Sequence, residues 1–173
     1  MARVLSCGVL LVDECDELLL CHTTGTSRWD IPKGCSDEGE APLRAAVREL
    51  SEETGLHIDP TALVDLGEFA YLPAKQLHLF ACRVRREDVD LSKLSCSTTC
   101  THVRTGTQVP EVDAFDWKPL SEVPQWCGRN LARVLGSLGL PSRLARAALG
   151  GVVSMDEADV TSAPPSAARA GTR

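Results

Sequence analysis

Aromatic side chains are scarce in this chain: three Trp, three Phe and one Tyr, 4% of 173 residues. That scarcity excludes a broad aromatic binding surface, so each ring becomes a candidate for a particular task, Tyr71 above all. An excess of positive charge is also missing, since 18 Lys and Arg face 24 Asp and Glu for a net charge of −6. Such a balance argues against generic binding to a nucleic-acid backbone. Long apolar runs are lacking too. The stretch 4–12 is closed by Asp13 and Glu14 before it could span a bilayer, and it has no small-residue cleavage site. A cytoplasmic protein with no membrane role is expected.

Cysteine, by contrast, is plentiful, at positions 7, 15, 21, 35, 82, 96, 100 and 127. With no secretion signal beside them, these do not read as a disulfide framework. Cys7, Cys21 and Cys82 lie in apolar strand-like runs and are expected to be small buried hydrophobes. The cluster Cys96-x3-Cys100-x-His102 could hold zinc, but it offers three donors where a structural zinc takes four.

A chain of 173 residues suits one domain with a sizeable core. Residues 4–12 read as a strand buried on both faces, and 18–21 as a second strand after the acidic turn 13–16. Pro32 biases 28–33 to extended structure. A helix is expected over 41–54, with Leu43, Ala46, Val47 and Leu50 on one apolar face and Gly55 closing it. Residues 57–60 read as a linker, 63–72 and 76–84 as strands around Pro73-Ala74, and 86–110 as a long polar loop. A strand over 112–117 follows, then a helix carrying Leu131, Val134, Leu135 and Leu138, and a last short helix from Ser142 to Gly150. After Gly151 large apolar groups thin out around a Pro-Pro break. The organisation expected is therefore a domain over 1–150 and a disordered low-complexity tail over 151–173.

The densest chemistry lies in GCSDEGEAPLRAAVRELSEETGL, residues 34–56. On a helix, Glu49, Glu52 and Glu53 fall at i, i+3 and i+4, so their carboxylates crowd one side and repel. A solvated acidic face is one reading of that crowding. A hard divalent cation is the other, because Mg²⁺ and its relatives take carboxylate oxygens. The full pattern G-x5-E-x7-R-E-L-x-E-E-x-G-L resembles the signature of the Nudix hydrolases at every specified position.

The resemblance implies an α/β fold, an α/β/α sandwich with a mixed sheet between helices. It also implies a pyrophosphohydrolase that cleaves a phosphoanhydride of a nucleoside diphosphate linked to another group. By match, Gly34 (through its carbonyl), Glu49, Glu52 and Glu53 would hold Mg²⁺ or Mn²⁺. Arg48 would brace the glutamates, Glu40 would order the loop, and Glu49 would be the general base. Glu111, six residues before Trp117, resembles a further metal-binding acid of asymmetric dinucleoside tetraphosphate hydrolases. The run Trp29-Asp30-Ile31-Pro32-Lys33-Gly34 resembles the same subgroup, as does Tyr71, a candidate for stacking on adenine. Arg28, Lys33 and Lys75 are the candidate phosphate contacts. The expected substrate is a small-molecule nucleotide, a dinucleoside polyphosphate. The alternatives are ADP-ribose or a nucleotide sugar, a nucleoside triphosphate, an RNA 5′ end, or nucleotide binding without cleavage.

Overall fold

The computed structural model describes residues 4–140 and the strand Val153–Ser154. The first strand, β1 (Val4–Val12), is almost wholly apolar because it lies at the centre of a sheet covered on both faces. It pairs in parallel with β7 (Lys75–Arg83) along its whole length, from Val4↔Lys75 to Val12↔Arg83. β6 (Val64–Leu72) forms the antiparallel edge beyond β7. On the other side, β2 (Glu17–Thr23) pairs with β1 at Val12↔Leu18 and with β10 (Val112–Pro119) along its outer side. The sheet is therefore mixed, as the sequence suggested.

Between β1 and β2 the sheet splays open, and the segment after the second strand fills the gap. Its β3 (Trp29–Asp30) bonds to Cys21 and His22 of β2, while its β4 (Lys33–Cys35) bonds to Ser6, Cys7 and Gly8 of β1. Glycine at position 8 makes this insertion fit, since a Cβ there would lie 2.7 Å from Lys33 Cβ and 2.9 Å from the Pro32 carbonyl oxygen.

Alternation along β1 divides the core in two. Cys7, Val9 and Leu11 face the helix α1 (Pro42–Thr54), whose Ala45, Ala46 and Leu50 pack with Phe80, Cys82 and Trp117. Leu10 and Val12 face the opposite layer, where Val123 of α2 (Val123–Trp126) and Leu131 and Val134 of α3 (Arg129–Ser137) meet Leu18, Leu77 and Leu79. This is the α/β/α sandwich. Burial of each Val, Leu or Phe side chain among these contributes roughly 1.5–3 kcal/mol.

Three expectations need correction. The stretch read as a linker contains β5 (His57–Ile58), followed by a 3₁₀ turn capped by Asp59. The loop 86–110 carries two 3₁₀ turns and a hairpin of β8 (Thr99–Thr101) and β9 (Gln108–Pro110). Within the expected tail, β11 (Val153–Ser154) pairs antiparallel with β5. Backbone pairing of two residues leaves no periodic signal, which is why composition alone assigned them to disorder. The helix expected over 142–150 and the remainder of the tail lie outside the described residues. No described helix is long and apolar enough to cross a membrane.

Candidate active site

The site is built on α1. Its N-cap, Ala41, makes no side-chain cap, and Pro42 opens the helix at a position where no N–H is needed. Gly55 ends it in the left-handed conformation at φ 75°, its N–H donating to the Ser51 carbonyl. With Leu50, Ala45 and Ala46 turned into the core, Glu49 and Glu53 are carried to the buried margin of the helix and Glu52 stays partly exposed.

Arg48 organises the acidic cluster. Its guanidinium donates to both Glu40 oxygens (3.1 and 2.9 Å), to Glu49 Oε1 (2.8 Å), to Glu52 Oε2 (3.0 Å) and to the Cys35 carbonyl (3.0 Å). Glu40 also accepts from the Asp37 N–H, so the loop before α1 is tied to the helix. Bonding to Arg48, and then to the Asp37 N–H, pulls the Glu40 carboxyl down to about 2. One fork of donors thus holds three carboxylates that would otherwise spread.

Glu49 lies against Gly34. A Cβ on residue 34 would fall 2.1 Å from Glu49 Oε2 and 2.3 Å from Oε1. Glu53 accepts from the Lys33 N–H at 3.2 Å. Burial pushes the Glu53 carboxyl up to about 8, against the lowering effect of Lys33. Burial raises Glu49 as well, opposed by Arg48 and reinforced by Glu52 and Glu111. Glu111 lines the same cleft as Glu53.

A divalent cation fits this donor set. The donors are all hard oxygens, and the Gly34 backbone is open to Glu49 because no side chain intervenes. Among the described residues no three His, Cys, Asp or Glu side chains converge as a finished cage. A hard cation does not need one, because water and substrate phosphates complete its shell. Structural zinc does need protein ligands throughout. Cys96 Sγ meets Thr98 and His102 Nδ1 pairs with Thr105 Oγ1 at 3.0 Å, and among the described residues Cys96, Cys100 and His102 do not gather into a set that could hold a metal ion. All eight cysteines are free thiols.

Beside Glu53 opens a cleft of about 700 Å³, lined in part by Arg28, Trp29, Lys33, Tyr71 and Glu111. Five residues singled out in the sequence, together with Glu53, thus share one cavity. Burial pulls the Lys33 ammonium down, but Asp30 at 2.8 Å outweighs it and the net shift is upward, so Lys33 stays charged. Tyr71 is half-buried, and burial followed by Asp30 raises its hydroxyl. Lys75 is the exception: it sits at the β6–β7 turn opposite Val4 and Leu72 and does not line the cleft.

Sequence reading missed Arg129 and Asn130, which open α3 at the cleft wall. The polar start after Gly128 was their signal. It also missed Lys118, whose ammonium pairs with Asp116 at 2.6 Å and lies 4.1 Å from the Trp126 ring centroid. Trp126 in turn meets Trp29 edge-on at 6.5 Å, which backs the cleft wall.

Metal-free protein is expected to lose stability as pH rises from about 4.5 to about 8, the span between the ordinary and native values of Glu53. In that window the native state holds a proton that the unfolded chain releases, so raising pH favours unfolding. Thermal melts across this range should fall less steeply for Glu53→Gln, and parallel curves would contradict the buried-acid assignment.

A NUDIX domain model matches residues 2–135. An uncharacterised 17.7 kDa protein of Enterobacteria phage T4 is 32% identical over 145 residues, 79% of this chain and 95% of its own length. An RNA pyrophosphohydrolase of Rhizobium meliloti is 32% identical over 110 residues, 56% of this chain and 61% of that protein. In that comparison the chain therefore spans about three fifths of its relative's length. Among solved structures, a NUDIX hydrolase from Nitrosomonas europaea shares the fold with a TM-score of 0.57 at 15% identity, covering 82% of this chain and 91% of that one. A C. elegans Ap4A hydrolase gives 0.50 at 18%, covering 81% and 98%. The chain belongs to the NUDIX domain family.

Proposed function

We propose that this member of the family is a hydrolase of pyrophosphate bonds that acts on a nucleotide bearing a 5′-linked polyphosphate. The observation that carries the reading is the union of the Arg48-braced carboxylates with a cleft holding Arg28, Lys33, Arg129, Trp29 and Tyr71. Glu49, Glu52, Glu53, the Gly34 carbonyl and Glu111 would hold Mg²⁺ or Mn²⁺. When bound, such a cation neutralises phosphate oxygens and acidifies a water. Glu49, with its carboxyl raised by burial, accepts the proton of the attacking water as general base. Arg48 keeps the carboxylates oriented, while Arg28, Lys33 and Arg129 offset the charge of the phosphates outside the cation's reach. The free thiols suit a reducing compartment such as the cytoplasm.

Two substrates present this chemistry. An RNA 5′ end is favoured by the names of the relatives, among them a Psychrobacter RNA pyrophosphohydrolase 33% identical over 116 residues. A dinucleoside polyphosphate is favoured by the 29–34 run, by Tyr71 in the cleft and by the fold shared with an Ap4A hydrolase. The RNA end is placed first, because the sequence relationship is closer than the structural one. The test is kcat/KM for a 5′-triphosphorylated oligoribonucleotide, diadenosine tetraphosphate and ADP-ribose, each with Mg²⁺ and with Mn²⁺. A preference for ADP-ribose would overturn both substrate readings while leaving the hydrolase reading in place.

Either substrate brings a base to Tyr71. Stacking on one aromatic ring contributes roughly 1–3 kcal/mol. Tyr71→Ala should therefore raise KM about tenfold while sparing kcat, the pattern of binding shared by ground and transition states. A fall in kcat at unchanged KM would remove Tyr71 from substrate binding.

A further inference from the structure

A helix leaves its last carbonyls without partners. At the end of α1 a distant loop supplies them. The Ser95 N–H donates to the Thr54 carbonyl at 3.1 Å, and Ser97 gives the Glu52 carbonyl both its N–H, at 2.7 Å, and its hydroxyl, at 3.0 Å. The next residue turns the other way. The Thr98 carbonyl accepts from the Glu111 N–H at 3.1 Å, and the Glu111 carbonyl accepts from the Thr24 N–H at 3.0 Å. Two consecutive residues thus join the peptide carrying Glu52 to the peptide carrying Glu111. Neither lines the cleft, so neither touches a substrate there.

We propose that Ser97 and Thr98 form a positioning bridge, which holds Glu111 against the carboxyl-terminal turn of α1 and so sets the grip of the site on its cation. The proposal rests on Glu111 being a metal ligand, as read above. Its physical need is plain, since Glu111 shares the cleft with Glu53, the neighbour of Glu52, and like charges gathered at one site repel. Without a tether, the loop carrying Glu111 would relax away from the like charge. Tethering both peptides holds the carboxylates in place before the cation arrives, so less ordering is left for binding to supply. Ser97 is exposed and fills no core space, which separates its bond to Glu52 from any packing role.

The experiment is Mn²⁺ titration of the metal-free full chain without substrate, followed by the electron paramagnetic resonance signal of the free ion. Ser97→Ala removes one of the two bonds to Glu52 and should weaken Mn²⁺ binding about fivefold, the scale of a single hydrogen bond. Ser97→Thr keeps the hydroxyl and should bind like wild type. Glu111→Gln should weaken binding about tenfold or more, and Ser97→Ala added to it should change little further. Melting temperatures should agree among wild type and the four variants. Full additivity of the two substitutions, or wild-type binding by Ser97→Ala beside a weakened Glu111→Gln, would overturn the bridge and leave Glu111 as a ligand. Wild-type binding by Glu111→Gln would instead overturn the ligand assignment, and the bridge with it.

Discussion

Glu53→Gln is expected to lower kcat by about two to four orders of magnitude, the scale of losing a central electrostatic or acid–base group. The side chain is buried beside the cleft and accepts a hydrogen bond from the Lys33 N–H. Glutamine keeps the shape and that acceptor but removes the negative charge that a cation would meet. Folding should survive, and the metal-free variant should melt higher than wild type near pH 8, because a costly buried charge is gone. Steady-state kinetics at saturating metal, with melting curves on the same samples, separate the two effects. Turnover within a few fold of wild type would remove Glu53 from the catalytic set.

The second large effect is expected at a residue with no side chain. In Gly34→Ala the new methyl would meet the Glu49 carboxylate carbon at 2.2 Å and its oxygens at 2.1 and 2.3 Å. Something must move, and the flexible end of Glu49 moves more cheaply than the backbone of β4. The cost to the fold should therefore stay at about 1–3 kcal/mol, as for other overpacked positions. Activity should fall at least about a hundredfold, because displacing a reacting group by about 1 Å carries that penalty. Melting temperature and kcat/KM measured together distinguish this from simple unfolding. A variant that keeps its activity would show that Glu49 works from another position.

Much of the site could be read from the sequence because its geometry is local. Glu49, Glu52 and Glu53 share a helix whose period is visible in Leu43, Ala46, Val47 and Leu50, and Gly55 marks its end. Gly34 was legible as part of a motif, but its reason, the Glu49 carboxylate standing where a Cβ would be, exists only once β4 is paired with Cys7 of β1. Contacts made at long range were not legible. Lys75 follows Tyr71 closely in sequence, yet the β6–β7 turn carries it away from the cleft, while Arg129 arrives from far along the chain. The pairing of Val153 and Ser154 with β5, and the hairpin at 99–110, depend on backbone bonds between segments too short or too polar to show a period. The sandwich itself was legible because buried strands and amphipathic helices carry their burial in their own residues.

The measurement that tests the account most directly is hydrolysis of a 5′-triphosphorylated oligoribonucleotide and of diadenosine tetraphosphate in ¹⁸O-labelled water. It is run with protein stripped of metal, and again after Mg²⁺ is restored. The expected result is negligible cleavage without metal and recovery with it, one ¹⁸O entering a phosphate product at each phosphoanhydride broken. Cleavage that proceeds equally well without a divalent cation, or no phosphoanhydride cleavage of either substrate with Mg²⁺ or Mn²⁺ present, would contradict it.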